Sequence, residues 1–141
     1  RIMVYIDIKT VSYNELKNLK ESEVLQFENV IDETIDKQKL INKMFLKLKC
    51  NDTIQINGYK DNIGNIHLLN GQDEFYVITN LINDNICITG FIDSFKQFNN
   101  LPYSQWQKYS QKFIKIIPVF ELHILECSNE DEKQFYLDLL K

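Results

Sequence analysis

The sequence predicts an α+β fold: an antiparallel β-meander and an additional long strand near the C-terminus, packed against a long amphipathic helix and shorter helices. Three observations carry that expectation. Residues 22–49 repeat apolar side chains at helical spacing. Residues 53–92 hold short β-rich runs broken by Asn, Asp and Gly turns. Residues 113–127 alternate apolar and polar side chains, as a half-buried strand does.

The chain has 141 residues, which suits one domain spanning 1–141. A domain of that size buries roughly 68–70% of its unfolded surface, so it needs no metal or disulfide staple. Hydrophobic residues at 44% and charged residues at 26% are ordinary globular values that exclude a disordered chain.

Residues 2–8 read as a strand. Ser12-Tyr13-Asn14-Glu15 then forms a capping box, with Val11 and Leu16 spaced for a hydrophobic staple, so a helix begins at Tyr13. In the next segment Val24, Phe27, Ile31, Ile41, Phe45 and Leu48 mark one face of a long helix. Lys37-Gln38 is its weak point, because the apolar face lapses there.

Beyond Asn51-Asp52, residues 53–59 and 65–69 flank the turn-rich Lys60 to Gly64, and residues 75–82 and 85–92 flank Asn83-Asp84. Two hairpins in succession make the meander, with Phe75 to Ile82 apolar on both faces like a covered strand. A short helical turn is expected at Ser94 to Phe98 and a helix from Ser104 to Lys112 after Pro102, with Gln107 in the capping-box position. Residues 113–127 form the long strand, in which Pro118 requires a bulge, bend or edge because it cannot donate to a ladder. Ser128 caps a last helix that runs through Leu140. Nothing in the sequence reads as a repeat or a linker.

Alanine is absent and the lone arginine is Arg1, ahead of a possible initiator at Met3, so Arg1-Ile2 reads as a vector-derived remnant. The bias toward Ile, Asn, Lys, Phe and Tyr implies AT-rich coding DNA, the flavour of a phage, plasmid or low-GC genome. Without Arg in its body, the chain lacks the planar fork used for bidentate grip on phosphate, carboxylate or guanine. A net charge of −4 argues against a nucleic-acid partner. Apolar runs are too short to span a bilayer, and no signal layout is seen, so no membrane association and a cytoplasmic location in a cell or host are expected. Cys50, Cys87 and Cys127 are odd in number and widely spaced, which fits reduced thiols.

Two stretches suggest a partner-binding surface. Glu28, Asp32 and Asp36, followed by Lys39, Lys43 and Lys47, would segregate charge along the long helix. Such a face solvates the helix and opposes its macrodipole, or else it orients a docking protein. Tyr103, Trp106 and Tyr109 lie in an aromatic-rich segment that reads as core, or as an interface hot spot wherever it is exposed. Lys96, Lys108 and Lys112 nearby leave a weaker single-strand nucleic-acid reading.

Glu121, His123, Leu125 and Cys127 alternate along one strand face, yet the HExxH and CxxC spacings are absent and so are phosphate-loop and nucleophile-elbow motifs. No catalytic residue, metal site or cofactor is expected. The loop acids Asp52, Asp61, Asp73, Asp84 and Asp93 read as turn formers. The expectation is a small non-enzymatic module that binds a protein partner, in the manner of an inhibitor or immunity factor. Its alternatives are a small enzyme or ligand-binding domain with a site between sheet and helices, or a subunit of a larger assembly. The sequence does not fix the oligomeric state.

Overall fold

The computed structural model describes residues 4–127 and 129–139. Its elements are β1 (Val4–Ser12), α1 (Tyr13–Glu21), β2 (Leu25–Phe27), α2 (Lys37–Lys49), β3 (Ile54–Lys60), β4 (Ile66–Leu68), α3 (Gln72–Ile82), α4 (Lys108–Ile116), β5 (Pro118–Cys127) and α5 (Glu130–Leu139). Short 3₁₀ turns occupy Lys96–Phe98 and Tyr103–Gln105. The α+β class stands. The expectations for Met3, for the Ser128 cap and for Leu140 fall outside the described residues.

The strands form one five-stranded sheet in the order β1-β5-β3-β4-β2. It is mixed, which corrects the antiparallel meander: β5 pairs antiparallel with β1 but parallel with β3, and β4 pairs antiparallel with β3 but parallel with β2. The β3-β4 hairpin sits where expected. The second hairpin does not exist, because residues 72–82 are the helix α3 and residues 85–92 carry no strand. A short apolar run such as Phe75 to Ile78 fits a covered strand or a buried helix equally by composition. Gln72, Phe75, Tyr76 and Thr79 recur at i, i+3, i+4 and i+7 on one helical face, while Val77, Ile78 and Leu81 are buried on another.

The stretch 85–92 forms no strand and turns at Gly90 with φ 77°, and side-chain amides hold several of its backbone groups. Asn42 of α2 donates to Thr89 Oγ1 and accepts from the Thr89 N–H, each at 2.9 Å. Gln38 donates to the Cys87 carbonyl, and the Asn99 amide both accepts from the Phe91 N–H and donates to its carbonyl.

Local chemistry explains the correct start of α1. Glu15 N–H donates to Ser12 Oγ and Ser12 N–H donates to Glu15 Oε1, both at 3.1 Å, and the staple residues Val11 and Leu16 are both buried. The single long helix over 22–49 is not formed. Glu23 turns the chain with φ 63°, β2 follows, and Asp32 bonds both the backbone and the hydroxyl of Thr34. Such local side-chain bonds compete with a helix. Asp36 then caps α2 by accepting the Lys39 N–H at 3.0 Å, so the helix begins at the weak point, Lys37.

Near the C-terminus, Phe113 to Ile116 belong to α4 instead of the long strand. Pro118 opens β5, and the register shift between Val11 and Ser12 leaves Val119 bulged beside it. The expected helix from Ser104 splits into a 3₁₀ turn and α4, with Gln107 extended at the cap of α4.

Helices α1 to α4 cover the sheet face that carries Ile56, Leu68, Phe120, Leu122 and Ile124, and their Leu16, Ile41, Phe45, Leu81 and Ile114 join those residues in the main core. On the opposite face α5 packs over β5, where Leu125 and Leu137 are buried and the Lys133 ammonium sits 4.6 Å over the Tyr59 ring. Two glycines permit close approaches. A Cβ on Gly58 would lie 2.4 Å from the His67 carbonyl oxygen, and one on Gly71, at φ 91°, would lie 2.5 Å from Ile56 Cδ1.

Burial along the 22–49 segment now separates two isoleucines that the sequence placed on one face. Ile41 is fully buried, whereas Ile31 is 36% exposed on the loop before α2. Ile41→Asp should cost about 3–5 kcal/mol in chemical denaturation, and Ile31→Asp less than about 1 kcal/mol.

Candidate functional site

The largest described cavity is a cleft of about 440 Å³ bounded by α1, α3 and the chain leaving β2. Gly71 seats the start of α3 on Ile56, which aims Gln72, Phe75, Tyr76 and Thr79 at this space. Phe27 and residues 29–31 form the facing wall, and Lys20 stands on the last turn of α1. The walls are largely aromatic: Phe75 stacks on Tyr13 with centroids 5.0 Å apart and lies 5.7 Å from Phe27.

Polar groups in the cleft differ in how far they are already used. Thr79 donates to the Phe75 carbonyl at 3.0 Å, so its hydroxyl accepts the Tyr13 O–H at 2.8 Å. Asn29 is tied to the Leu69 carbonyl. Gln72 is different, since its amide Oε1 is buried with no hydrogen-bond partner among the described residues. A buried acceptor left without a donor costs on the order of 1–3 kcal/mol. Lys20 is exposed and makes no ion pair among the described residues. The helix start itself is already compensated by Asp73 and Glu74 in the first turn of α3.

The wall at residues 28–32 is pinned at both ends. Asp32 N–H donates to Asp73 Oδ1 at 2.9 Å, and Glu28 turns to the other sheet face to meet His67 Nδ1. His67 Nε2 reaches Asp61 Oδ2 at 2.7 Å, and its ring stacks on Tyr59 at 4.7 Å. Burial of the imidazole opposes its protonation, but the bonds to Asp61 and Glu28 outweigh this, so its pKa rises above 6.5. The bond from His67, with further N–H donors from Asn65 and Ile63, holds Asp61 below 3.8 against partial burial. Tyr59 is raised above 10.0 by burial and then by Glu28, Asp61 and Glu130.

The residues singled out by sequence are dispersed. Glu28, Asp32 and Asp36 do not share a helical face, and each is spent locally: on His67, on Thr34 and on the cap of α2. Tyr103 and Trp106 are each only 3% exposed. Tyr103 O–H donates to the Gln111 carbonyl, and burial pushes its pKa up to about 12. Trp106 donates to the Leu101 carbonyl at 3.1 Å and packs edge-on against Phe45. It also lines two grooves of about 190 Å³ each. Tyr109 is 79% exposed and stacks on Phe113 at the rim of one of them.

The Cys127 and His123 pairing is not made. The thiol points to the Asn129 carbonyl, while His123 Nε2 meets Glu121 Oε1 at 2.6 Å. Turn chemistry holds at Asp52, Asp61 and Asp84, which accept backbone N–H groups nearby or across a loop. Among the described residues no group of three His, Cys, Asp or Glu side chains is placed to hold a metal, and no helix is long and apolar enough to cross a membrane. The sequence reading missed Gln72, Phe75, Tyr76 and Thr79, whose helical spacing was the available signal. Comparison with protein-family models, curated proteins and solved structures gives no match.

Two outcomes follow from this geometry. For His67 the sign is that of a raised pKa: protonation-linked stability is complete below 6.5 and lost as pH climbs through the folded value. Asp61, held below 3.8, keeps its contribution above that value and loses it as pH falls further. His67→Phe should therefore lose more stability relative to the parent near pH 5.5 than near pH 9, measured as the shift in urea midpoint. Trp106→Ala should cost about 3–5 kcal/mol by the same measurement, and Tyr109→Ala within about 0.5 kcal/mol.

Proposed function

We propose that the protein binds a small ring-bearing ligand in the cleft between α1, α3 and residues 27–31, the ligand offering a hydrogen-bond donor to Gln72. The orphaned Gln72 Oε1 carries this reading, because buried acceptors are normally paired and Gln72 is one of the residues that line the cleft. The size of the cleft, about 440 Å³, falls in the range of small-molecule sites. Phe27, Phe75 and Tyr76 supply flat apolar surface, and the unpaired Lys20 favours an acidic or acceptor group at the mouth. This is the ligand-binding alternative of the sequence reading, placed between helices at one end of the sheet.

A second reading keeps one observation of its own. Tyr109 and Phe113 form an exposed stacked pair beside an aromatic groove, which suits a non-enzymatic module that occludes a protein partner. In that case Tyr109 is the anchor and buried Trp106 its support.

The planar anion 1-anilinonaphthalene-8-sulfonate is a direct probe of the cleft. Folded protein should give saturable fluorescence enhancement with a one-site isotherm, and Thr79→Trp, which fills the space, should abolish it while leaving cooperative unfolding intact. Gln72→Leu should retain the probe but gain stability of about 1 kcal/mol, since it removes the orphaned acceptor. Equal enhancement in parent and Thr79→Trp would show that the dye binds elsewhere and sink the reading.

A further inference from the structure

The sheet edge farthest from the cleft carries a pattern that local structure does not use. β1 is nine residues long and, among the described residues, pairs only with β5. Every residue from Tyr5 to Thr10 is exposed, including Tyr5 at 52%, Ile6 at 54% and Ile8 at 56%. Long flat edges invite pairing, and proteins usually blunt them with brevity, proline, bulges or a covering element. Among the described residues none of these devices touches residues 5–10, since the register shift lies at Val11 and Ser12; charged side chains are the one edge device present there. What interrupts the apolar edge is one acid, Asp7, and one base, Lys9. Neither has an ion pair or side-chain hydrogen bond among the described residues.

We propose that two copies of this chain pair through β1, antiparallel about a two-fold axis at Ile8, to make one continuous sheet. The charges select both the occupant and the register. A two-fold axis normal to a sheet can pass only through a residue and its own mate, because opposed side chains must face the same side. Centring it on Asp7 sets Asp7 against Asp7, and centring it on Lys9 sets Lys9 against Lys9. Like charges directly opposite are destabilising. Centring it on Ile8 sets each Asp7 opposite the Lys9 of the other copy, twice over by symmetry. On the other face the same register packs Ile8 on Ile8 and each Ile6 on Thr10 of the other copy, covering half-exposed aliphatic surface. A strand of unrelated sequence would meet the same two charges with no built-in complement, so self-pairing is the arrangement for which this edge is complementary.

Sedimentation velocity of the full chain, from about 1 µM to about 500 µM, reads this out. The parent should shift from monomer to dimer with concentration. Asp7→Lys and Lys9→Asp, each alone, convert both reciprocal pairs to like charges and should weaken the dimer at least about tenfold. An equimolar mixture of the two variants should restore dimer, since acids on one edge then meet bases on the other. Both side chains are exposed, so unchanged thermal unfolding certifies the fold of each variant. A parent that stays monomeric throughout overturns the proposal, even if it captures a strand from another protein. Single variants that dimerise as tightly as the parent, or a mixture that fails to recover, also overturn it by placing the contact elsewhere. The cleft lies at the opposite edge, so failure here leaves the dye-binding result untouched.

Discussion

The fold depends on one pairing, the parallel ladder from Ile54↔Phe120 to Tyr59↔Leu125 between β3 and β5. Parallel neighbours cannot be joined by a tight turn, so the chain between them must cross over a face of the sheet. The crossover contains α3 and α4, and the shorter parallel pair, β2 with β4, brings α2 over the same face. That is why Phe120, Leu122 and Ile124 are buried so completely while the opposite face receives α5. A meander would have left the helices without a common floor. The cleft follows from this layering, because α1 and α3 rest on one sheet and β2 is too short to close the space between them at its edge.

Asparagine and glutamine substitute for regular structure at several points. Residues 85–92 lie outside regular structure, yet several of their backbone groups are met by amides of Gln38, Asn42 and Asn99 rather than by a neighbouring strand. Asn70 likewise accepts the Asn57 N–H on β3 at 2.7 Å. A side-chain amide carries one donor end and one acceptor end, so it can copy the pairing of a peptide group. A chain rich in Asn can therefore bury irregular backbone without leaving polar groups unpaired, provided each amide is held by a rigid element such as α2.

What the sequence disclosed was governed by the range of the interaction. The Ser12 to Glu15 box, the weak point at Lys37, the β3-β4 turn and the disturbance at Pro118 are decided within four or five residues, and all were legible. The α3 segment was not, because Phe75 to Ile82 is apolar enough for either period and the deciding contact, Gly71 on Ile56, is made by strand β3. The spurious helix over residues 22–36 had a similar cause. Its apolar spacing is real, but Leu25 and Phe27 are drawn into the sheet by β4, an attraction invisible in the local pattern. The site suffered most, since Glu28 and Asp61 meet only through His67 and the cleft needs three elements to exist. Tyr103, Trp106 and Tyr109 show the limit of composition: the same segment supplies two core rings and one exposed ring.

Polar groups whose valence is consumed locally explain structure, and those left over point outward. Glu28, Asp32, Asp36, Asp61 and Asp84 each hold a turn, a cap or a histidine, which accounts for their presence without any partner. Among the described residues Gln72 Oε1, Lys20, Asp7 and Lys9 are not so consumed. The first two share a cleft walled by aromatics, and the last two share an open strand edge flanked by aliphatic side chains. Exposed charges alone need no explanation, since water satisfies them at little cost. Gln72 Oε1 is another matter, because burial without a hydrogen-bond partner among the described residues is a standing cost.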